Sequence, residues 1–221
     1  MSTYYPVYLD LTGKPVVVIG GGQIAERKVL VLLESDARVT VVSPELTDGL
    51  ASLAESGRIQ SVRRAYRHGD LAGAFLAIIG TDDSATNQEA AAEARAAHVL
   101  VNAVDDIANC DFIAPAVIRR GDLTVALSTN GKSPAMARWA RQELESVLTP
   151  EYGDLLKVLE HVRIELRRKN LRVDPERWQT HIDATIRSLV HHGKLKEAEE
   201  RLFHALSSGA PEETVTAASG V

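Results

Sequence analysis

Residues 15–44, PVVVIGGGQIAERKVLVLLESDARVTVVSP, constrain the fold of this chain more than any other segment. An apolar run ends in a glycine turn, a helical run follows, and a second run of β-branched residues comes after it. This order is typical of a βαβ unit, in which both strands lie parallel in one sheet. The segment therefore predicts an α/β domain whose sheet is covered by helices.

Strand and helix patterns continue to alternate up to about Asp111. Helical runs at ELTDGLASLAESG and SATNQEAAAEARAAH are interleaved with strand-like runs at IQSVRRA, AFLAIIG and VLVNAVD. The alternation predicts a Rossmann-like, doubly wound parallel sheet for residues 1–112.

The pattern changes after this domain. FIAPAVIRRGDLTVALSTNGKSP has a Gly-Asp turn between two strand-like runs, and Ser133-Pro134 is a good N-cap and first-turn pair for the helix that follows. A hairpin and one helix are too small to form a core of their own. We therefore predict that residues 113–149 form a small hairpin-helix dimerisation unit.

Residues 150–208 are expected to form a C-terminal helical domain with three amphipathic segments. The apolar faces of these segments are Leu155, Leu159, Val162 and Leu166; Trp178, Ile182, Ile186 and Leu189; and Leu195, Ala198, Leu202 and Ala205. Residues 209–221 lack apolar periodicity, so we expect a disordered tail.

Composition limits the classes of partner. The chain has 25 Lys+Arg against 30 Asp+Glu and a net charge of -5, which does not favour nucleic acid or an anionic membrane as partner. Its single cysteine excludes an intrachain disulfide and a multi-cysteine zinc site. The N-terminus does not resemble a signal peptide, and no run of about 18 apolar residues occurs. We expect a cytoplasmic protein.

The glycine turn predicts a dinucleotide site. In Gly20-x-Gly22-x-x-Ala25, the first glycine permits the tight turn, the second lets a pyrophosphate approach, and the alanine allows close helix packing. Gln23 and Ile24 open the helix, whose N-terminus attracts phosphate charge. The alternative is a purely structural turn. The position on the first strand of a βαβ unit favours an NAD-binding domain.

The ribose-binding half of this pattern is incomplete. An acidic residue is expected about 20 residues after the glycines, but the second strand ends at Ser43-Pro44. We expect Ser43, Pro44 and Glu45 to contact the cofactor, with Ser43 bonding the ribose; alternatively, Glu45 caps the next helix. No arginine directly follows Ser43, which argues against a 2′-phosphate and favours NAD.

Two strand ends carry acidic residues. Thr81-Asp82-Asp83 follows AFLAIIG, and the run from Asn102 to Asp106 closes the next strand. Ligands of open α/β sheets bind beyond the carboxyl ends of the strands, so Thr81 is a predicted cofactor contact. Asp82 and Asp83 have an alternative role in beginning the next helix.

Four blocks, GGGQIAERK, GTDDSATNQ, VNAVDDIANCDFIAPA and LSTNGKSPAMAR, resemble in order and spacing the precorrin-2 dehydrogenases of sirohaem synthesis, which also form the N-terminal module of sirohaem synthase. The resemblance covers about Tyr5 to Leu148. It implies a homodimer with interlocking hairpin-helix units and NAD⁺-dependent oxidation of precorrin-2 to sirohydrochlorin. Some members of the family also insert Fe²⁺.

The resemblance assigns the essential aspartate to Asp105, which follows Asn102-x-Val104. The reaction removes two hydrogens; NAD⁺ accepts a hydride, and Asp105 is expected to accept or guide the proton. Whether Asp105 acts as a base or positions the substrate stays open. In members that chelate iron, the same carboxylate would deprotonate the pyrroles or handle the metal. Asp106 is interpreted as a supporting group.

The substrate that the resemblance implies carries eight carboxylate arms and needs cationic partners. The predicted substrate-binding residues are Asn102, Arg119, Arg120, Ser128, Thr129, Lys132 and Arg138, and we expect about half of the basic ones to be solvated surface. Ser128 and Thr129 match a Ser-Ser pair whose second serine can be phosphorylated, but the second position here is threonine. Cys110 is interpreted as a packing residue, and no metal site is predicted.

The chain ends at Val221 without a methyltransferase module. We therefore expect it to receive precorrin-2 from a separate uroporphyrinogen III methyltransferase. One alternative is a non-catalytic NAD-binding, redox-sensing regulatory domain, but the acidic strand end and the missing ribose carboxylate count against it. Another is a dehydrogenase of an unrelated small acid, for which a His-Asp or lysine-based pair would be expected in the second domain.

Overall fold

The computed structural model describes residues 4–104 and 106–208. These residues form two compact units. One consists of residues 4–114 with Asn130–Lys132, and the other of Pro115–Thr129 with residues 133–208. The expected catalytic Asp105 and the tail 209–221 lie outside the described residues.

The described part of the first unit contains a five-stranded parallel sheet in the order β3-β2-β1-β4-β5. Its strands are β1 (Pro15–Ile19), β2 (Arg38–Val42), β3 (Gln60–Val62), β4 (Leu76–Ile79) and β5 (Leu100–Ala103). Its helices are α1 (Gln23–Leu33), α2 (Asp48–Glu55) and α3 (Ser84–Ala96), and a 3₁₀ turn covers Ile107–Asn109. This arrangement confirms the predicted doubly wound sheet.

Both faces of this sheet are buried, which explains its continuous apolar strands. Alternate residues of β1 point to opposite faces: Val16 and Val18 pack in one cluster with Val29 of α1, while Val17 and Ile19 pack in the other with α3. The α3 side of the second cluster consists of small residues, Ala90, Ala91 and Ala94. The strand order reverses between β1 and β4, where ligands of such sheets bind.

The second unit begins with an antiparallel hairpin of β6 (Ala116–Arg120) and β7 (Leu123–Leu127). The helices α4 (Pro134–Val147), α5 (Glu151–Arg168), α6 (Pro175–His181), α7 (Ala184–His191) and α8 (Leu195–Ser207) follow. As predicted, Ser133 caps α4: its hydroxyl accepts from Met136 N at 3.1 Å. The core of α5, α7 and α8 includes Val162, Ile186 and Leu202.

The structure divides the second predicted amphipathic segment into two helices. α6 ends at His181, and Asp183 begins α7 by accepting a hydrogen bond from Ile186 N at 2.8 Å. The backbone of Asp183 is extended and its side chain caps α7, so the helix is interrupted at this residue. None of the helices in residues 4–104 and 106–208 is both long and apolar enough to cross a membrane.

Candidate active site

Gly20 makes the turn from β1 toward α1 at the end of β4. Its φ is +114°, and a Cβ on this residue would lie 2.3 Å from the carbonyl oxygen of Gly80. Gly80 N in turn donates to Ile19 O at 2.9 Å, which extends the parallel ladder one residue beyond the end of β4. Only glycine fits this position, because both the backbone conformation and the close contact exclude a side chain.

Gly21 brings the β2–α2 loop against the glycine turn. A Cβ on Gly21 would lie 2.0 Å from Glu45 O and 2.8 Å from the hydroxyl of Ser43. Thr47 N donates to Gly21 O at 3.0 Å. The predicted ribose-binding loop is thus fixed beside the predicted phosphate-binding loop, through a glycine that the sequence pattern did not single out.

Gly22 lies in open space at the N-terminus of α1. Its φ is −83°, an ordinary value, and a Cβ there would meet no described atom within 4 Å. No side chain of the described residues caps this helix, and Gln23 and Ile24 are exposed. The first N–H groups of α1 are therefore available to an anion, which also gains from the helix dipole. The geometry fits the pyrophosphate of a dinucleotide.

The end of β2 presents one buried and two exposed candidate residues. Ser43 is only 7% exposed and its backbone N donates to Val62 O at 3.1 Å, whereas Pro44 and Glu45 are exposed. The alternative role of Glu45 as a helix cap is wrong. Thr47 caps α2 instead, accepting from Leu50 N at 3.3 Å.

Thr81 is held at the end of β4 by Asn87 of α3. The side-chain oxygen of Asn87 accepts from the hydroxyl of Thr81 at 2.8 Å and from its backbone N at 3.2 Å, while the amide of Asn87 donates to Thr81 O at 2.8 Å. Asp83 caps α3 by accepting from Ala85 N at 3.1 Å. Hydrogen bonds from Thr86 and Ala85 lower the pKa of Asp83.

The segment after β5 folds back onto that strand. Asn102 is 8% exposed, and its amide donates to Phe112 O at 2.9 Å. Val101 N donates to the carboxylate of Asp111 at 3.0 Å, and Asp111 N donates to Val101 O at 2.8 Å. Together these bonds fix the two ends of the loop that contains Asp105, the predicted catalytic residue outside the described part of the chain.

Cys110 lies inside this loop as a neutral packing group. Its thiol donates to Ala103 O at 3.2 Å and accepts from Ala103 N at 3.2 Å. Burial raises the pKa of Cys110, and the charges of Asp106 and Asp111 act in the same direction. The geometry therefore supports the packing interpretation over a reactive thiolate.

Two further residues border the same loop. Asp106 accepts a hydrogen bond from the side-chain amide of Asn109, closing the 3₁₀ turn. Lys28, half-buried on α1, has its pKa lowered by burial and by the neighbouring charge of Arg27.

The predicted substrate-binding residues of the hairpin-helix segment differ in their hydrogen bonds and exposure. Arg120 Nε donates to Leu148 O at 2.6 Å, so its guanidinium holds the end of α4. The hydroxyl of Thr129 accepts from Ser133 N and donates to Ser133 O, both at 3.1 Å, which closes the loop before α4. Arg119, Ser128, Lys132 and Arg138 are exposed.

Comparison with known proteins gives one consistent result. The family described as "Putative NAD(P)-binding" matches residues 7–116, and "Sirohaem biosynthesis protein central" matches residues 120–146. The solved structure of SirC, a precorrin-2 dehydrogenase, superposes with a TM-score of 0.72 at 28% identity, covering 89% of this chain and 100% of that one. The chain belongs to the family of precorrin-2 dehydrogenases and sirohaem synthase N-terminal modules. This confirms the resemblance found in the sequence.

Curated relatives in this family are longer proteins. The chain is 36% identical over 209 residues to siroheme synthase 1 of Serratia proteamaculans (strain 568), covering 94% of this chain and 44% of the relative. It is 38% identical over 210 residues to siroheme synthase of Pseudomonas putida (strain W619), covering 94% and 45%. The chain thus spans less than half the length of these curated relatives.

The structure brings some of the predicted residues of this sirohaem-synthase-type module together. Gly20, Gly22, Ser43 and Thr81 lie at the carboxyl ends of neighbouring strands of one sheet. The substrate-binding roles of Asn102 and the hairpin residues remain predictions. Asn87 and Gly21 were missed, because each acts by contacting a residue from another part of the chain.

Proposed function

We propose that this chain catalyses the NAD⁺-dependent oxidation of precorrin-2 to sirohydrochlorin. The observation that carries the proposal is the open, uncapped N-terminus of α1 at Gly22, which follows β1 at the point where the sheet order reverses toward β4. Similarity to SirC along its full length supports the same activity. A non-catalytic regulatory domain would also need the open helix N-terminus to bind NAD. It would have no reason to resemble SirC along the full length of that protein.

The cofactor would be held mainly by backbone groups. The N–H groups of Gln23 and Ile24 lie in the first turn of α1 and would bind phosphate oxygens. Ser43 and the exposed Glu45 follow β2, where the ribose of a dinucleotide lies in this fold. We infer NAD rather than NADP, since Pro44 and Glu45 offer no positive charge to a 2′-phosphate. NAD⁺ supplies a hydride acceptor when bound.

The protein must also accept a proton. Asp105 is the residue that we propose for this role, because it follows β5 directly in sequence and matches the essential aspartate of the family. Its neighbours are anchored from both sides: Val104 N donates to Ile79 O at 2.8 Å, and Asp106 is tied to Asn109. Rigid neighbours favour a carboxylate with a defined direction of proton transfer.

The active form is proposed to be a homodimer. α4 has no buried residue among those described, yet Met136 and Trp139, one helical turn apart, are 50% and 55% exposed. An amphipathic helix with an uncovered apolar face is typical of a subunit interface. A second copy would add its Arg119, Lys132 and Arg138 to those available for the carboxylate arms of the substrate.

Two finer parts of the proposal rest on the resemblance. They are handover of precorrin-2 from a separate methyltransferase and insertion of Fe²⁺ into the product, in which iron would be a substrate. A cytoplasmic location is proposed because the chain has one cysteine, as expected in a reducing compartment.

The decisive experiment supplies anaerobic precorrin-2 with NAD⁺ and follows the optical spectrum and NADH formation. We expect sirohydrochlorin and NADH in equal amounts with the purified chain. The matched control is Gly22→Ala, which should fold but bind NAD⁺ poorly. A chain that binds NAD⁺ yet leaves precorrin-2 unchanged would favour the regulatory alternative. A parallel reaction with Fe²⁺ tests for sirohaem formation.

A further inference from the structure

A cleft of about 540 Å³ opens at the C-terminal end of α5, within the helical unit. Its polar lining includes Arg163, Arg167, Asn170 and Arg172. These residues come from the last turns of α5 and the segment leading to α6. The cleft is therefore built by one compact unit and lies outside the predicted NAD-binding residues.

The cleft concentrates positive charge. Arg163 and Arg167 are four residues apart on α5, so their guanidinium groups lie on the same helix face and repel each other. None of the residues that line the cleft is acidic. In the described part of the chain, no ion pair links Arg163 or Arg167 to a carboxylate. The repulsion is thus not offset by a lining side chain.

Neighbouring cations at the same helix end are engaged elsewhere. Arg168 pairs with Glu165 at 3.0 Å, and Lys169 Nζ lies 4.5 Å from the ring centroid of Phe203. Arg177 donates to Ser208 O at 2.7 Å. These contacts are those expected of structural residues, and they distinguish this group from Arg163 and Arg167, which line the cleft.

Helix stabilisation does not account for both cleft arginines. Cations stabilise the negative end of a helix dipole, but the effect is confined to the last turn. Arg167 lies in the last turn of α5, whereas Arg163 precedes the final residue, Arg168, by five positions. Arg163 is exposed in the cleft, where its guanidinium is accessible to a bound anion.

The other wall of the cleft is apolar. Leu166 is buried, while Leu171, Val173 and Trp178 are half-buried and line the same space. A volume of this size holds a small organic molecule. The combination of guanidinium groups and an indole wall suits a ligand with several carboxylates on a carbon framework, since arginine pairs with carboxylates through two parallel hydrogen bonds.

We propose that this cleft is a polycarboxylate-binding site formed by Arg163 and Arg167 against Trp178. Two sources share this chemistry: a small tricarboxylate, and the carboxylate arms of a tetrapyrrole. The second source rests on the proposed function; the first does not.

The test is calorimetric titration of the full chain, without NAD⁺ and at constant ionic strength, with citrate and separately with sirohydrochlorin. The cleft variant is Arg163→Gln/Arg167→Gln. The matched control, Arg168→Gln/Lys196→Gln, removes the same charge from exposed residues outside the cleft. Circular dichroism checks that each variant is folded. A second cleft variant, Arg163→Lys/Arg167→Lys, keeps the charge but loses the planar guanidinium groups that bind a carboxylate through two parallel hydrogen bonds.

We expect the cleft variant to bind at least one of the two ligands about tenfold or more weakly than the control, with the lysine variant in between. Weakened citrate binding identifies a small-molecule site, and weakened sirohydrochlorin binding alone identifies the tetrapyrrole. Equal affinities in the cleft variant and the control, or no binding by the wild type, would overturn the proposal. The titration measures binding and not turnover. Its result would therefore stand even if the dehydrogenase assay showed no activity.

Discussion

Gly20 and Gly80 meet at the carboxyl ends of β1 and β4, so closely that a Cβ on Gly20 would lie 2.3 Å from Gly80 O. The contact joins the two strands between which the sheet order reverses. Gly20 is also buried and has a positive φ of 114°. The two strand ends at the predicted cofactor site can therefore approach each other this closely only because residue 20 has no Cβ.

Gly20→Ala should destabilise the fold. The added methyl group collides with backbone and the φ angle is unfavourable, so the free energy of unfolding should fall by about 3 kcal/mol or more. Urea unfolding measures this loss. Gly57→Ala is a useful control, because Gly57 has a positive φ of 70° but open space around it. If both variants lose the same stability, the contact with Gly80 contributes nothing beyond the φ angle.

Gly22→Ala should separate cofactor binding from stability. Gly22 has an ordinary φ, and a Cβ on this residue would meet no described atom within 4 Å, so alanine should be tolerated by the fold. The methyl group would occupy the space that the pyrophosphate approaches, and we expect NAD⁺ affinity to fall about tenfold or more. Calorimetry with NAD⁺ measures the affinity, and urea unfolding measures the stability. Unchanged affinity would mean that the phosphate lies elsewhere.

Asp105→Asn should remove turnover while leaving NAD⁺ binding intact. Loss of a positioned proton acceptor typically lowers kcat by about a hundredfold or more. Asp106→Asn removes the same charge one residue later, and we expect a much smaller loss, since Asp106 is engaged with Asn109. Steady-state rates with precorrin-2 compare the two. A larger loss in Asp106→Asn would transfer the catalytic role to that residue.

The Cys110 thiol should react slowly with iodoacetamide at neutral pH. Burial raises its pKa above the ordinary thiol value, so the reactive thiolate forms only as the pH rises into the alkaline range. Mass spectrometry of labelled protein, from neutral to alkaline pH, follows the rate. Fast labelling at neutral pH would contradict the packing interpretation, as would loss of turnover in a folded Cys110→Ala variant.

The sequence patterns predicted the elements of this chain better than the contacts between them. The parallel sheet, the Gly20 turn and the Ser133 cap depend on local periodicity or on neighbouring residues, and all three were predicted. The hydrogen bonds between Thr81 and Asn87 join residues that are six positions apart across a strand–helix turn. The contact of Gly21 with Glu45 joins two loops. Neither leaves a periodic signal in the sequence.

The helical segment around Ile182 shows a different limit. Its apolar spacing is compatible with one continuous helix, so periodicity alone predicts no interruption. The Asp183 side chain accepts from Ile186 N and starts a new helix there. An aspartate within a helical run is ambiguous in sequence, because the same residue is tolerated in a helix and favoured at its start.

Glu93 provides a pH test of the first unit. This carboxylate, 7% exposed on α3, accepts hydrogen bonds from the hydroxyl of Tyr66, from Gly69 N at 2.9 Å and from Leu71 N at 3.0 Å. Burial alone would raise its pKa, but these bonds outweigh burial and lower the pKa of Glu93. The carboxylate thus anchors the β3–β4 connection to α3.

Because the folded pKa lies below the unfolded one, the stabilisation by Glu93 is fully present above the unfolded pKa and is lost as the pH falls through the folded pKa. Glu93→Gln should lower the free energy of unfolding by about 2 kcal/mol at neutral pH, since an amide replaces one acceptor oxygen with a donor facing a backbone N–H. The difference between wild type and variant should shrink as the pH is lowered from about 5 toward about 3. Urea unfolding across this range measures it. A difference that stays constant with pH would show that Glu93 acts through packing and not through its charge.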